Sequence, residues 1–124
     1  MKSRARAFTY AFSGWDYVIR TQKNAWIHAL VTIIVIGMGI WLQVSVKDWI
    51  ILILTITLVW AAEIFNTAIE AAVDLASPRY HPLARISKDV SAAGVLVTAL
   101  AAVLIGILVL GPPFLARIHP LLAR

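Results

Sequence analysis

Hydrophobic positions along the chain fall into three long runs separated by short polar stretches. Residues 26–46 are apolar apart from His28 and Gln43 near the ends and Thr32 and Ser45. Residues 49–75 are apolar at first and carry Glu63, Asn66, Glu70 and Asp74 late. Residues 90–110 hold no charge and stop at Gly111-Pro112-Pro113. Each run has roughly 20 or more residues, which at 1.5 Å per residue crosses a hydrocarbon core of about 30 Å. Three membrane-spanning helices are predicted, with Trp26, Trp41 and Trp49 near their ends as an aromatic belt requires. Ahead of them, residues 4–20 are too interrupted to span. Phe8, Phe12, Trp15 and Ile19 recur there at spacings of three and four, with Arg4, Asp16 and Arg20 elsewhere. That pattern predicts an amphipathic helix lying on the membrane surface, against the alternative of a frayed basic tail. The expected fold class is an all-α integral membrane protein, a surface helix followed by three transmembrane helices.

Composition supports this reading. Of 124 residues 61% are hydrophobic and 14% charged, outside the range of ordinary soluble domains. That length allows one domain, residues 1–124, with no room for a separate nucleotide-binding domain. The net charge of +5 in so apolar a chain faces anionic headgroups rather than nucleic acid. Cysteine is absent, which excludes disulfides, thiolate metal sites and cysteine nucleophiles. The first run starts too late, and lacks the cleavage pattern, for a signal peptide. No internal repeat or low-complexity stretch occurs. Placing the N-terminus in the cytoplasm puts Lys2, Arg4, Arg6, Arg20, Lys23, Arg79, Arg85 and Lys88 inside and Lys47, Arg117 and Arg124 outside. The positive-inside rule favours that orientation in an inner (cytoplasmic) membrane.

Acidic residues within a span cost about 2.5–3.5 kcal/mol each at mid-bilayer, so those of the second run call for a reason. At 100° per residue Glu63, Asn66, Glu70 and Asp74 share one stripe about 80° wide. Counting from Asp48 at the outer surface, Glu63 lies about 22 Å in and Glu70 about 33 Å in. Glu63 is thus expected to be buried on the inner side, with Glu70 and Asp74 near the cytoplasmic headgroups. Gln22, Lys23, Asn24 and His28 at the first run, Lys88 and Asp89 at the third, and the loop residues Tyr80 and His81 reach the same depth. A lipid hydroxyl could meet a soluble anion there. Two other readings stay open: a polar stripe joining helices by hydrogen bonds, as for a non-enzymatic membrane subunit, and a proton or cation pathway. His28 taken singly reads as an interfacial hydrogen-bonder, and His119 is uninformative. Signatures of soluble kinases are missing, so any phosphate must be handled by carboxylate-bound divalent cations with Lys and Arg.

The segment AEIFNTAIEAAVD, residues 62–74, closely resembles the signature of the prokaryotic diacylglycerol kinase family of small three-span lipid kinases. The resemblance continues through YHPLARISKDVSAAGVL, residues 80–96, and more loosely back to FTYAFSGWDYVIRTQKNAWIH, residues 8–28. YHPLA followed by KDV and a small-residue run is similar to the undecaprenol kinase branch. The resemblance implies ATP-dependent phosphorylation of a membrane lipid alcohol, undecaprenol ahead of diacylglycerol, with Mg²⁺ as cofactor. It implies that Glu63 is the general base toward the lipid hydroxyl and that Glu70 binds Mg²⁺ at the ATP phosphates. It also implies nucleotide contacts for Tyr10, Arg79, Tyr80, His81, Lys88 and Asp89, although family members often carry Glu at the place of Arg79. Asn66 and Asp74 match supporting positions, with Asn66 expected to orient Glu63 or phosphate.

One departure stands out. Gln22 occupies a position where diacylglycerol kinases carry a second metal-binding Glu. An amide oxygen can coordinate Mg²⁺ but brings no negative charge, so either metal binding is weaker or the ion is organised differently. The resemblance further implies a homotrimer with sites shared between subunits. The small residues Ser91, Ala92, Ala93, Gly94 and Ala99 suit the close helix contact this needs. Cysteine labelling tests the orientation on the cysteine-free background. Arg79→Cys is expected to react with impermeant thiol reagents only from the cytoplasmic side and Lys47→Cys only from outside, and the reverse pattern would refute the topology.

Overall fold

The computed structural model describes residues 2–122 and the side chains of residues 6–119. The side chains of Lys2 and Arg4 and the whole of Arg124, counted above for orientation, lie outside the described residues. Four helices follow one another: α1 (Lys2–Thr21), α2 (Lys23–Leu42), α3 (Val46–Ala76) and α4 (Pro82–Leu122). The last three are long and apolar enough to cross a membrane.

The breaks between helices have local causes. Gln22 alone separates α1 from α2, with φ −101° and ψ 116°, an extended residue between two helical ones. The run at 26–46 does not continue as helix to its end. Gln43 adopts the left-handed conformation at φ 54°, and the Val44 N–H closes back on the Gly39 carbonyl. Ser45 then caps α3, its hydroxyl accepting from the Asp48 N–H while Asp48 Oδ2 accepts from the Ser45 N–H. Apolar composition alone cannot show this turn, because it is made by Gln43, Ser45 and Asp48 within an otherwise apolar stretch.

The third run also departs from expectation. Helix α4 begins at Pro82, where a missing N–H costs nothing in the first turn, and the His81 Nδ1 accepts from the Leu83 N–H. It then runs through Gly111-Pro112-Pro113 to Leu122 instead of stopping there. Prolines inside a helix forfeit backbone hydrogen bonds at about 3 kcal/mol. Packing beyond them offsets this cost. Phe114 lies on the cluster of Leu42, Leu52 and Leu110 and meets the Trp41 ring at 6.2 Å, and the Arg117 guanidinium sits 5.5 Å over that ring.

Helices α3 and α4 pack along their length, and α2 closes against both. The apolar cluster around Leu42, Leu52 and Leu110 holds the end of the bundle next to the α2–α3 turn. Helix α1 docks only by its C-terminal end, where Val18 is buried and Trp15 stacks on Trp60 at 4.8 Å. Phe8 and Phe12 remain exposed, consistent with a face turned to lipid. On the same helix Asp16 accepts from Arg20 at 2.8 Å, which holds that guanidinium above its ordinary range. By itself the chain exposes 9574 Å², against about 6,600 Å² for a soluble domain of 13.6 kDa. The excess is apolar side chain on the outer faces of the helices. Lipid or further protein must cover it.

Of the six glycines Gly39 alone is closely covered: an added Cβ would fall 2.7 Å from Cη2 and 2.9 Å from Cζ2 of Trp49. Gly39→Ala is expected to cost about 1–3 kcal/mol in a reversible detergent unfolding titration. A double-mutant cycle with Trp49→Leu should remove most of that cost. An additive cycle would show that the ring does not set the approach.

Candidate functional site

Helix α3 is 31 residues long, about 46 Å, and so overruns a 30 Å core. Its polar stripe grades accordingly. Glu63 is completely buried, Asn66 and Thr67 are buried, Glu70 is half-buried and Asp74 is exposed. The stripe faces the α1–α2 junction on one side and the first turns of α4 on the other, so three segments distant in sequence contribute to one locus.

Glu70 sits at the centre of the inner group. Its Oε2 accepts from Gln22 Nε2 and its Oε1 from Asn66 Nδ2, both at 3.1 Å. Gln22 reaches it because the extended backbone between α1 and α2 turns that side chain toward α3. Asn66 in turn accepts a hydrogen bond on Oδ1 from Ser91 Oγ at 2.7 Å, which ties α3 to α4. Asn66 therefore orients Glu70 and not Glu63. The two share one face at a spacing of four, whereas Glu63 points to α2. Ser91 was expected only as part of a small-residue face. Its place three residues after Lys88 was the signal that it would share the polar face.

Closer to the loop between α3 and α4, Lys88 Nζ pairs with Asp74 Oδ1, and Arg85 lies 3.7 Å from Asp89. A cavity of about 350 Å³ opens beside them, lined by Asp74, Arg79, Tyr80, His81, Lys88 and Asp89 among others. The expected loop contacts are thus gathered in one place. The cations there suit a polyanionic ligand, and Asp74 and Asp89 pair with Lys88 and Arg85 respectively. Tyr10 is not brought into this group. It is 72% exposed on α1 and stands about 18 Å of helix rise from Gln22.

No group of three or more His, Asp or Glu side chains converges as a metal cage among the described residues. The donor set nevertheless suits Mg²⁺. Glu70 and Gln22 bring a carboxylate and an amide side by side. Mg²⁺ is commonly held by one or two carboxylates together with substrate phosphates, keeping several waters.

Glu63 lies seven residues, about 10 Å of rise, deeper than Glu70. Its Oε2 is 3.5 Å from Nε2 of His28 on α2, and their side chains are 1% and 13% exposed. Both Glu63 oxygens and His28 Nε2 lack a hydrogen-bond partner among the described residues. Leaving a buried polar group unpaired costs about 1–3 kcal/mol, and more when it is charged. Such an arrangement is retained for a ligand or a reaction rather than for stability. Nothing in the sequence marked this pairing of His28. Only the crossing of α2 and α3 creates it.

The family model for prokaryotic diacylglycerol kinase matches residues 9–110. A diacylglycerol kinase of Synechocystis sp. is 40% identical over 89% of this chain, which spans 63% of that relative's length. An undecaprenol kinase of Bacillus subtilis is 36% identical over 86% of this chain and 87% of its own. A diacylglycerol kinase of Escherichia coli is 30% identical over 84% of this chain and 91% of its own.

Proposed function

The chain belongs to the prokaryotic diacylglycerol kinase family of lipid kinases, and we propose that it transfers the γ-phosphate of ATP to a membrane lipid alcohol at the cytoplasmic interface. It is a multi-pass bacterial membrane protein. Undecaprenol is the favoured acceptor and diacylglycerol the next, on the YHPLA and KDV segments and the likeness to the Bacillus subtilis enzyme over most of both chains. The observation that carries the proposal is the buried carboxylate of Glu63, with neither oxygen hydrogen-bonded among the described residues, on the same stripe as a half-buried Glu70. A base must meet an alcohol from the membrane, and an anion-binding group must meet a nucleotide from the cytoplasm. One helix reaching from hydrocarbon to headgroups carries both.

In this reading Glu63 takes the hydroxyl proton as the alcohol oxygen attacks the γ-phosphorus. The bond from phosphorus to the β–γ bridging oxygen breaks, and ADP leaves with the electron pair. Glu70, held by Asn66, and Gln22 hold Mg²⁺ with the nucleotide phosphates. When bound, that ion neutralises charge on the phosphoryl oxygens. Lys88 and Arg79 face the phosphates from the loop cavity, and Tyr80 and His81 line its rim. The N-terminus lies in the cytoplasm, where ATP is available, as the distribution of Lys and Arg supports. A homotrimer accounts for the excess exposed surface, and in it Tyr10 contacts the nucleotide of a neighbouring copy rather than its own.

Glu63→Gln keeps the shape of the base but cannot accept a proton. Transfer from radiolabelled ATP to a lipid alcohol is expected to fall about 10²–10⁴-fold while nucleotide binding persists. A kcat close to wild type would remove Glu63 from this role. Glu70→Gln should instead weaken nucleotide binding, with partial rescue at high Mg²⁺; an unchanged Mg²⁺ dependence would contradict its assignment.

Gln22→Glu tests the place where the chain departs from its relatives. Two carboxylates would then stand where an amide now donates to Glu70. With the ion between them, half-maximal activity is expected at lower Mg²⁺, with kcat changed by less than about tenfold, or ~1.4 kcal/mol. Without it, repulsion dominates and the Mg²⁺ requirement rises, which would exclude Gln22 from the metal site.

A further inference from the structure

His28 stands between two features that the phosphate-handling residues leave unused. On one side its Nε2 faces Glu63, and all three polar atoms at that contact are unpaired among the described residues. On the other side the ring lines a cavity of about 520 Å³ enclosed by α2, α3 and α4. Its walls are hydrocarbon, with Val31, Val35, Ile56, Val59, Val103 and Phe114 representative. The lining runs from residue 99 to residue 114 along α4, about 22 Å by helix rise. That length covers most of a hydrocarbon core, from the depth of His28 toward the opposite face.

Polar atoms in the cavity wall are few and mostly engaged. Thr55 Oγ1 donates to the Ile51 carbonyl, and Thr32 Oγ1 accepts from Trp60 Nε1 at 3.1 Å. Trp60 also meets the His28 ring edge-on at 6.2 Å, and Trp15 stacks against it, so the imidazole is held from the side. His28 therefore touches the apolar cavity with its ring, while its buried Nε2, with no hydrogen-bond partner among the described residues, faces Glu63 behind the cavity wall. A hydroxyl carries one donor and two acceptor positions. Placed there, it satisfies His28 and one Glu63 oxygen together.

We propose that His28 binds the acceptor: its Nε2–H donates to the lipid hydroxyl oxygen, which directs the hydroxyl hydrogen at Glu63 while the hydrocarbon chain occupies the α2–α3–α4 cavity. The inference rests on the lipid kinase reading and adds a substrate-contacting residue to it. During transfer the hydroxyl proton passes to Glu63, the oxygen–phosphorus bond forms, ADP departs, and His28 keeps its own proton. The wall chemistry also selects the acceptor class. An alcohol whose hydrocarbon begins at the carbinol carbon fits, whereas two ester groups close to the hydroxyl would enter a wall whose described polar atoms are few and mostly engaged.

The test uses the full chain in mixed micelles with undecaprenol and ATP, comparing wild type, His28→Gln and His28→Phe. Glutamine keeps an N–H donor near the Nε2 position, and phenylalanine keeps only the ring. His28→Phe is expected to lower kcat/KM for undecaprenol on the order of 10²-fold with KM for ATP unchanged. His28→Gln should stay within about tenfold of wild type. Equal activity of His28→Phe and wild type, equal loss in both variants, or a parallel rise in KM for ATP would overturn the assignment. A measurement on the unmutated protein decides independently of how the variants fold. In ¹⁵N-histidine spectra the His28 Nε2 resonance is expected to shift on adding undecaprenol and to hold still with ATP alone. No shift with undecaprenol overturns the proposal. If wild type phosphorylates no lipid alcohol yet the resonance shifts, the kinase reading fails while the binding role of His28 stands.

Discussion

A carboxylate cannot be taken into hydrocarbon without compensation, and Glu63 is placed there with neither oxygen hydrogen-bonded among the described residues. The rest of the molecule is arranged around that constraint. Helix α3 is long enough to bury Glu63 while its last turns emerge with Glu70 and Asp74 at the interface. Helix α2 brings His28 within 3.5 Å, so the environment beside the carboxylate is polar on one side only. In the proposed reaction, a carboxylate so poorly paired is the group that takes a proton from an alcohol arriving through the same apolar layer.

Stability and chemistry are separated along the bundle axis. The end next to the α2–α3 turn is held by apolar packing of Leu42, Leu52, Leu110 and Phe114, and by the approach of Trp49 to Gly39. At the other end hydrogen bonds run from Gln22 through Glu70 and Asn66 to Ser91. That series joins α3 to α4 and to the α1–α2 junction. Each of these groups is partnered, so Glu70 is held in one orientation before nucleotide binds. The contrast with unpartnered Glu63 is chemical. In the proposed roles, a metal-binding carboxylate gains from being fixed, and a base gains from being free to accept a proton.

Much of the apolar surface remains uncovered by the chain's own helices, and Phe8 and Phe12 on α1 are part of it. A bilayer covers such surface without needing shape complementarity. Charged groups at the headgroup level require more specific partners, and the exposed Tyr10 and the open loop cavity lie at that level.

The order and kind of the helices were legible because bilayer physics leaves few alternatives. Three apolar runs of spanning length must be helical, and the stripe of Glu63, Asn66, Glu70 and Asp74 follows from helical geometry alone. Burial that lessens from Glu63 to Asp74 followed from counting rise along that helix. What the chain's order of residues could not reveal depends on contacts between segments. The turn at Gln43 needed Ser45 and Asp48 to close it, and α4 passes its two prolines because Phe114 finds the Leu42 cluster beyond them. Asn66 served Glu70 instead of Glu63 once Ser91 arrived from α4. His28, unremarkable alone, became the neighbour of Glu63 only through the crossing of α2 and α3. Periodicity and hydropathy act along one helix and so determine which face a residue occupies; which residue meets it from another helix is decided by packing, whose energies come from pairs distant in sequence.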